Sequence, residues 1–83
     1  MRPTPSNMTY DNDLDALGLL CPLPVLKARK RLQGLSSGQI LRLQADDPAA
    51  VVDVPHFCAE SGHELLRVED TGKARHFYIR KSG

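Results

Sequence analysis

Two prolines, Pro22 and Pro24, stand two residues apart directly after an apolar run at residues 17–21. Proline has no backbone N–H, so inside an α-helix it is tolerated in the first turn, where the amides lack intrahelical partners anyway. The pair therefore predicts that a strand ends near Gly18 and that a helix opens at Cys21. Apolar residues then recur at spacings of three and four and predict the buried face of this helix: Val25, Ala28, Leu32 and Leu35.

The rest of the pattern predicts the element order β-α-β-α-β-β. The four strands are expected at residues 13–17, 40–45, 63–70 and 74–80. A strand, a helix and a parallel strand imply a right-handed crossover with helices on one or both faces of the sheet. With four strands and two helices, one layer of helices on one layer of sheet is the economical arrangement. We therefore predict an α/β (α+β) two-layer sandwich, in which a mixed four-stranded sheet carries both helices on one face.

The second helix is expected to begin at Asp47-Pro48, because an N-cap aspartate followed by proline is a helix start signal. This capping role also accounts for the acidic pair Asp46-Asp47. Pro55 lies seven residues after Pro48 and predicts a break, since proline disrupts a helix interior. Asp53 is then expected to cap a second helical piece that continues to residue 62.

The chain is short and nearly neutral, which excludes several classes of protein. Its 83 residues suit one domain, expected at residues 11–83 after a flexible, polar and proline-containing leader at residues 1–10. Lys plus Arg is 11 and Asp plus Glu is 10, a net charge of +1, so direct nucleic-acid binding is not expected. No apolar run approaches the roughly 18 residues of a membrane span, and no signal peptide is recognisable. We expect a cytoplasmic protein without membrane contact.

Cys21 is the residue at which chemistry is expected, because it stands where a strand ends and a helix begins. A helix N-terminus carries partial positive charge, which should lower the pKa of the Cys21 thiol below the free-cysteine value of about 8.5. The basic run at residues 27–31 also favours an anion, although it lies a turn or more away. The residues alone leave open the alternative that Cys21 is a small buried hydrophobe.

The second cysteine and the histidines carry weaker signals. Cys58 has apolar neighbours in the second helical region and is expected in the core. Two cysteines are too few for a disulfide-stabilised scaffold, so both are expected to be free thiols. His56, His63 and His76 lack the spacing of a zinc site, and a cysteine–histidine catalytic pair has no signature in this sequence.

Residues 14–25 contain a Cys-Pro-x-Pro motif that resembles the signature of the TusA/SirA sulfur-carrier family. The resemblance continues through residues 45–49, 53–58, 63–65 and 78–81, and it covers about residues 13–82. It implies a fold like the C-terminal domain of a translation initiation factor. It also implies a protein-bound persulfide on Cys21, with Pro22 and Pro24 supporting the motif. Leu23 fills the variable position, where some members carry an acidic residue.

The resemblance further implies partners. A cysteine desulfurase, which itself uses pyridoxal phosphate, would load sulfur onto Cys21, and a downstream relay protein would take it. The acceptor route would be tRNA 2-thiouridine formation or molybdenum-cofactor and sulfur metabolism. The chain would need no cofactor or metal, and would act as a monomeric sulfurtransferase relay component rather than as a turnover enzyme. We place part of the partner surface at Leu23, Lys27, Lys30 and Arg31.

Two other functions remain open at this point. A thiol redox protein would use Cys21 and Cys58, and requires that the two sulfurs meet, since a disulfide cannot bridge Cα atoms more than about 7 Å apart. A small RNA- or protein-binding module would share the fold with Cys21 merely structural, because fold alone does not define function.

Overall fold

The computed structural model describes residues 9–82, which form one four-stranded sheet and two helices. The elements are β1 (Asn12–Asp15), α1 (Leu23–Gln33), β2 (Ile40–Ala45), α2 (Ala50–Ser61), β3 (Glu64–Asp70) and β4 (Arg75–Arg80). The strand order is β1-β2-β4-β3, with β1 parallel to β2 and the other two pairings antiparallel. The predicted element order and the two-layer α+β sandwich with a mixed sheet are confirmed.

The core lies between the sheet and the helices. Residues of β2 alternate, so that Leu41, Leu43 and Ala45 are buried toward the helices. The buried helix residues are Pro24, Ala28 and Leu32 from α1 and Ala50, Val54, Phe57 and Cys58 from α2. The core position expected for Cys58 is therefore confirmed, and the predicted apolar face of α1 packs inward, with Val25 and Leu35 at its margin.

The break predicted in the second helix is wrong. α2 runs without interruption from Ala50 to Ser61, with Pro55 inside it and Asp53 in its first turn. Proline in a helix interior costs about 3 kcal/mol. Val54 and Phe57, on either side of Pro55, are buried in the core. Packing of this apolar face offsets the missing hydrogen bond, because most helical stability in proteins comes from tertiary contacts.

Parallel pairing of β1 and β2 brings two connecting loops to the same edge of the sheet. The carboxyl ends of parallel strands point the same way, so the loop after β1 (residues 16–22) lies beside the loop after β2 (residues 46–49). A hydrogen bond of 2.8 Å from the Ala16 amide to the Gln44 carbonyl extends the pairing past the end of β1. This edge carries Cys21.

The opposite face of the sheet, away from the helices, carries a polar and aromatic cluster. Arg42 makes a two-pronged contact to the Asp13 carboxylate, at 2.9 and 3.0 Å, and its guanidinium carbon lies 4.4 Å from the centre of the Tyr10 ring. Tyr78 is buried on this face and donates its hydroxyl to Glu69 at 3.0 Å. Tyr10 belongs to the predicted leader, whose residues 1–8 lie outside the described residues. Across residues 9–82, neither helix is long and apolar enough to span a membrane.

Candidate functional site

Cys21 lies in the loop between β1 and α1, and its side chain is exposed. The helix begins two residues later than predicted, at Leu23, with Pro22 as its N-cap and Pro24 in its first turn. The Leu23 amide donates to the Leu20 carbonyl at 2.8 Å, which closes a turn around the cysteine. The alternative that Cys21 is a buried hydrophobe is therefore wrong, and the thiol is accessible to a reaction partner.

Two aspartates from the loop after β2 hold this loop by its backbone. Asp46 accepts the Gly18 amide with both carboxylate oxygens, at 3.0 and 3.1 Å. Asp47 Oδ2 accepts the Cys21 amide at 2.6 Å, while its Oδ1 accepts the Ala49 amide at 3.1 Å. The capping role predicted for this pair explains only the contact between Asp47 Oδ1 and the Ala49 amide. The N-cap residue of α2 is Ala49 rather than the predicted Asp47.

The Cys21 thiol lies in an anionic environment, so the lowered pKa predicted for it is wrong. A hydrogen bond to the Asp53 carboxylate is the largest cause that raises the pKa of Cys21, and the negative charges of Asp53 and Asp47 act in the same direction. The helix N-terminus offers little compensation. Pro22 and Pro24 have no N–H to donate, and the Leu23 amide is already engaged.

Exposed apolar side chains occupy the loop that carries Cys21 and the first turns of both helices. Eight large apolar residues are exposed among those that the structure describes, and six of them lie on the β1–α1 loop, the start of α1 and the start of α2. We call these six the apolar collar: Leu17, Leu20, Leu23, Leu26, Val51 and Val52. Leu20 and Val52 are the most open, at 68% and 71% exposure. A concentration of exposed apolar surface is typical of a protein interaction site.

The residues predicted as a partner surface divide into two groups. Leu23 belongs to the apolar collar, at 45% exposure. Lys27, Lys30 and Arg31 instead line a shallow cavity between α1 and β1. Arg31 donates to Asn12 Oδ1 at 2.6 Å and to the Asp13 carbonyl at 3.2 Å, which fastens α1 to the edge strand. The charges that act on the Cys21 thiol are those of Asp53 and Asp47 rather than of these cations.

The remaining thiol and the histidines lie elsewhere. Cys58 is 3% exposed, and burial raises the pKa of its thiol to about 11. His56 approaches Glu60 at 3.3 Å on α2, and His63 Nδ1 accepts the Ser82 amide at 3.1 Å. Within residues 9–82, no three histidine, cysteine or acidic side chains come together as metal ligands would. Cys21 therefore stands as the one accessible thiol of the described part of the chain.

The amino-acid sequence matches a known protein family. The family described as Sulfurtransferase TusA matches residues 12–81, nearly all of the folded part. The chain belongs to this family. The sulfur carrier protein TusA of Allochromatium vinosum is 47% identical over 73 residues, which cover 88% of this chain and 96% of that protein. The resemblance to the TusA/SirA family in the sequence is thereby confirmed.

A solved structure shows the same fold. The crystal structure of a SirA-like protein from Desulfitobacterium hafniense superposes with a TM-score of 0.76 at 23% identity, and covers 88% of this chain and all of that one. At this identity the likeness establishes the architecture. The TusA match adds the family, and residues 12–81 include Cys21 and both motif prolines.

Sequence reasoning placed Cys21 but missed the carboxylates around it. Asp47 lies 26 residues and Asp53 32 residues further along the chain, so proximity in sequence gave no warning. The usable signal was the predicted topology, because polar residues after two adjacent parallel strands meet at one sheet edge. Val51 and Val52 were missed for the same reason.

Proposed function

We propose that this protein carries sulfur as a persulfide on Cys21, receiving it from one protein and passing it to another. The observation that carries the proposal is the placement of Cys21. Its thiol is exposed, lies in the Cys-Pro-x-Pro motif of a TusA family member, and stands among apolar side chains suited to docking. The name of the Allochromatium relative, sulfur carrier protein, supports the same role.

The chemistry needs only an accessible thiol on this chain. In loading, the Cys21 thiolate attacks the outer sulfur of a donor cysteine persulfide. The donor's S–S bond breaks, a new S–S bond forms on Cys21, and the donor cysteine leaves as a thiolate. In unloading, a partner thiolate attacks the outer sulfur on Cys21, and Cys21 leaves as the thiolate. Sulfur moves at constant oxidation level, so neither step needs an oxidant, a metal or an organic cofactor.

We propose a cysteine desulfurase as the donor and a downstream relay protein as the acceptor. Both must reach the same thiol in turn, so each complex must be short-lived. The open apolar collar favours such exchange because it presents one docking surface to successive partners. The acceptor route proposed is tRNA 2-thiouridine formation, or molybdenum-cofactor and sulfur metabolism, served by a monomer in the cytoplasm.

The test is a measurement of sulfur on the intact protein. The purified chain is incubated with a cysteine desulfurase, pyridoxal phosphate and cysteine, and its mass is recorded without reductant. The expected result is a gain of one sulfur atom that a thiol removes and that Cys21→Ala abolishes. Cys58→Ala is the matched control, and should load as the unmodified protein does, because its thiol is buried. Absence of added sulfur, with an active desulfurase shown on a control carrier, would contradict the proposal.

The same experiment separates the redox alternative. A redox protein that cycles a disulfide would lose two hydrogen atoms of mass on oxidation and would need both cysteines. The burial of Cys58 at 3% exposure disfavours this, since its sulfur is not presented at the surface that carries Cys21. A mass decrease of two hydrogens that disappears in Cys58→Ala would establish the redox function instead.

A further inference from the structure

The thiol at the candidate site faces negative charge contributed by two different segments. Asp53 comes from the first turn of α2, and Asp47 comes from the loop before it. Asp47 is held in place by the amides of Cys21 and Ala49, at 2.6 and 3.1 Å. Among residues 9–82, none of the ion pairs involves either carboxylate. The site therefore has anionic groups whose charge no cation of the described chain balances.

Docking on the apolar collar would remove water from these carboxylates. The collar residues Leu20, Leu23, Val51 and Val52 lie next to Cys21 and Asp53 in sequence, and all are exposed. A partner that covers them also covers the charges between them. Burying an ionised carboxylate without a partner is costly, whereas pairing it with a cation offsets that cost. The surface thus fits an apolar segment that also carries positive charge.

We propose that the protein segment that docks on the apolar collar presents a cationic side chain to Asp53, and that this ion pair makes the Cys21 thiol reactive upon docking. The inference rests on the proposed function, since it concerns the partner from which sulfur arrives or to which it leaves. The partner's chemistry is specific: an apolar segment that bears a lysine or arginine beside its own cysteine.

The mechanism follows from what the cation changes. In the free protein the negative charges of Asp53 and Asp47 raise the pKa of the thiol and so favour its protonated form. A cation that pairs with Asp53 cancels this negative charge, so the thiolate fraction of Cys21 rises and the residue becomes a faster nucleophile. The same cation stabilises Cys21 when it leaves as a thiolate in unloading. A free carrier is then slow toward stray electrophiles and fast in the complex.

The charge preference of the thiol can be measured without knowing the partner. Two small disulfides serve as probes: cystamine, which is cationic, and dithiodipropionate, which is anionic. In each exchange the Cys21 thiolate attacks one sulfur, the probe's S–S bond breaks, half of the probe leaves as a thiolate, and a mixed disulfide forms on Cys21. Rates near neutral pH and low salt are divided by those of a neutral reference thiol, N-acetylcysteine amide, to remove intrinsic differences between the probes.

We expect cystamine to react about three- to tenfold faster than dithiodipropionate after this normalisation, the range that charges a few ångströms apart produce near a protein surface. The net charge of the chain is +1 and would favour the anionic probe, so a preference for the cation must originate locally. Salt at about 0.5 M should remove most of the preference, because it screens exposed charges. A ratio near one at low salt in the unmodified protein would overturn the proposal, whatever any variant does.

Three variants assign the preference to a residue. Asp53→Asn should lower the ratio toward one and shift the pH profile of iodoacetamide alkylation to lower pH, while Asp53→Glu should restore the preference. Glu60→Gln is the matched control. It removes the same charge from an exposed position two turns further along α2, and should leave both readouts unchanged. Equal ratios and pH profiles in Asp53→Asn and Glu60→Gln would show that Asp53 is not the residue responsible.

The charge-preference test can fail or succeed independently of the sulfur-loading test of the proposed function. Sulfur loading on Cys21 with no charge preference would leave the carrier role in place and refute the cationic partner. A clear preference for cystamine with no sulfur loading would support the anionic surroundings of Cys21 and refute the desulfurase as its donor.

Discussion

The backbone amide of Cys21 donates a hydrogen bond of 2.6 Å to Oδ2 of Asp47, a residue 26 positions further along the chain. The other oxygen of the same carboxylate accepts the Ala49 amide, just before α2 begins. One side chain therefore fixes the loop that carries the thiol to the start of the second helix. The geometry around the thiol depends on a residue outside the Cys-Pro-x-Pro motif.

Replacing this carboxylate should both destabilise the fold and loosen the site. We predict that Asp47→Ala lowers the free energy of unfolding by about 1–2 kcal/mol, because two backbone donors lose their acceptor. Urea denaturation measures the loss, and hydrogen exchange should show reduced protection at the Cys21 amide. Asp15→Ala is the control, since Asp15 accepts only the neighbouring Leu17 amide. Equal losses in the two variants would argue against a special role for Asp47.

The Arg42–Asp13 ion pair on the open face of the sheet should make the free energy of unfolding depend on pH in acidic solution. The Arg42 hydrogen bond is the largest cause that lowers the pKa of Asp13 below its ordinary value of 3.8. A carboxyl with a lowered folded-state pKa stabilises the fold above its unfolded pKa, and this stability is lost as the pH falls through the folded value. We predict that Arg42→Met lowers the free energy of unfolding by about 0.5–1 kcal/mol at pH 7, the magnitude typical of partly exposed ion pairs. The loss should be smaller below pH 4.

Urea denaturation at several pH values tests this prediction. Arg75→Met serves as the comparison, because Arg75 meets Asp70 at a longer distance of 3.5 Å. The loss of unfolding free energy caused by Arg75→Met should change little between neutral and acidic solution. A cost of Arg42→Met that stays constant with pH would show that the Asp13 pair does not contribute to folding.

The buried thiol should be inert in the folded protein and should make the fold sensitive to alkali. Burial raises the pKa of Cys58 from 9.0 to about 11. The protonated thiol therefore contributes stability below pH 9 that is lost as the pH rises toward 11. We predict that the unmodified protein loses stability over this range relative to Cys58→Ala. In Cys21→Ala at pH 8, iodoacetamide should modify Cys58 only after urea is added, and modification of the native protein would contradict its burial.

Two leucines on α1 and its preceding loop should separate folding from docking. Leu32 is 1% exposed, and we predict that Leu32→Ala costs about 2–4 kcal/mol through lost burial and a residual cavity. Leu20 is 68% exposed, so Leu20→Ala should change the free energy of unfolding by less than about 0.5 kcal/mol. Binding to a cysteine desulfurase, measured by calorimetry, should weaken severalfold in Leu20→Ala. Unchanged binding there would remove Leu20 from the docking surface.

The parts of the fold that were predictable are those whose signals are local. Alternation along Ile40–Ala45 identified β2, and the spacing of Ala28 and Leu32 identified the inner face of α1. The turn between the last two strands was predicted as well, and there the Gly72 amide donates to Asp70 at 2.8 Å. Each of these depends on residues close in sequence.

The wrong predictions concern residues whose surroundings come from distant parts of the chain. Pro55 breaks helices by its own chemistry, but Val54 and Phe57 pack into a core that the local pattern does not show. Cys21 at a helix N-terminus should have a lowered pKa, but Asp53 and Asp47 reach it across the sheet edge. The sequence singled out Cys21 as the candidate reactive residue, and the topology determined its electrostatic environment.

The burial of Cys58 affects how well a persulfide on Cys21 would be preserved. Any cysteine that reaches a persulfide can attack its inner sulfur, form a disulfide and release the outer sulfur as sulfide. A chain with two accessible thiols would discharge itself in this way. Here the second thiol is enclosed by the core and stays protonated at physiological pH, so the folded domain behaves toward sulfur as a molecule with one cysteine. A sulfur atom placed on Cys21 is thereby protected from the protein's own second thiol, and its release depends on contact with another molecule.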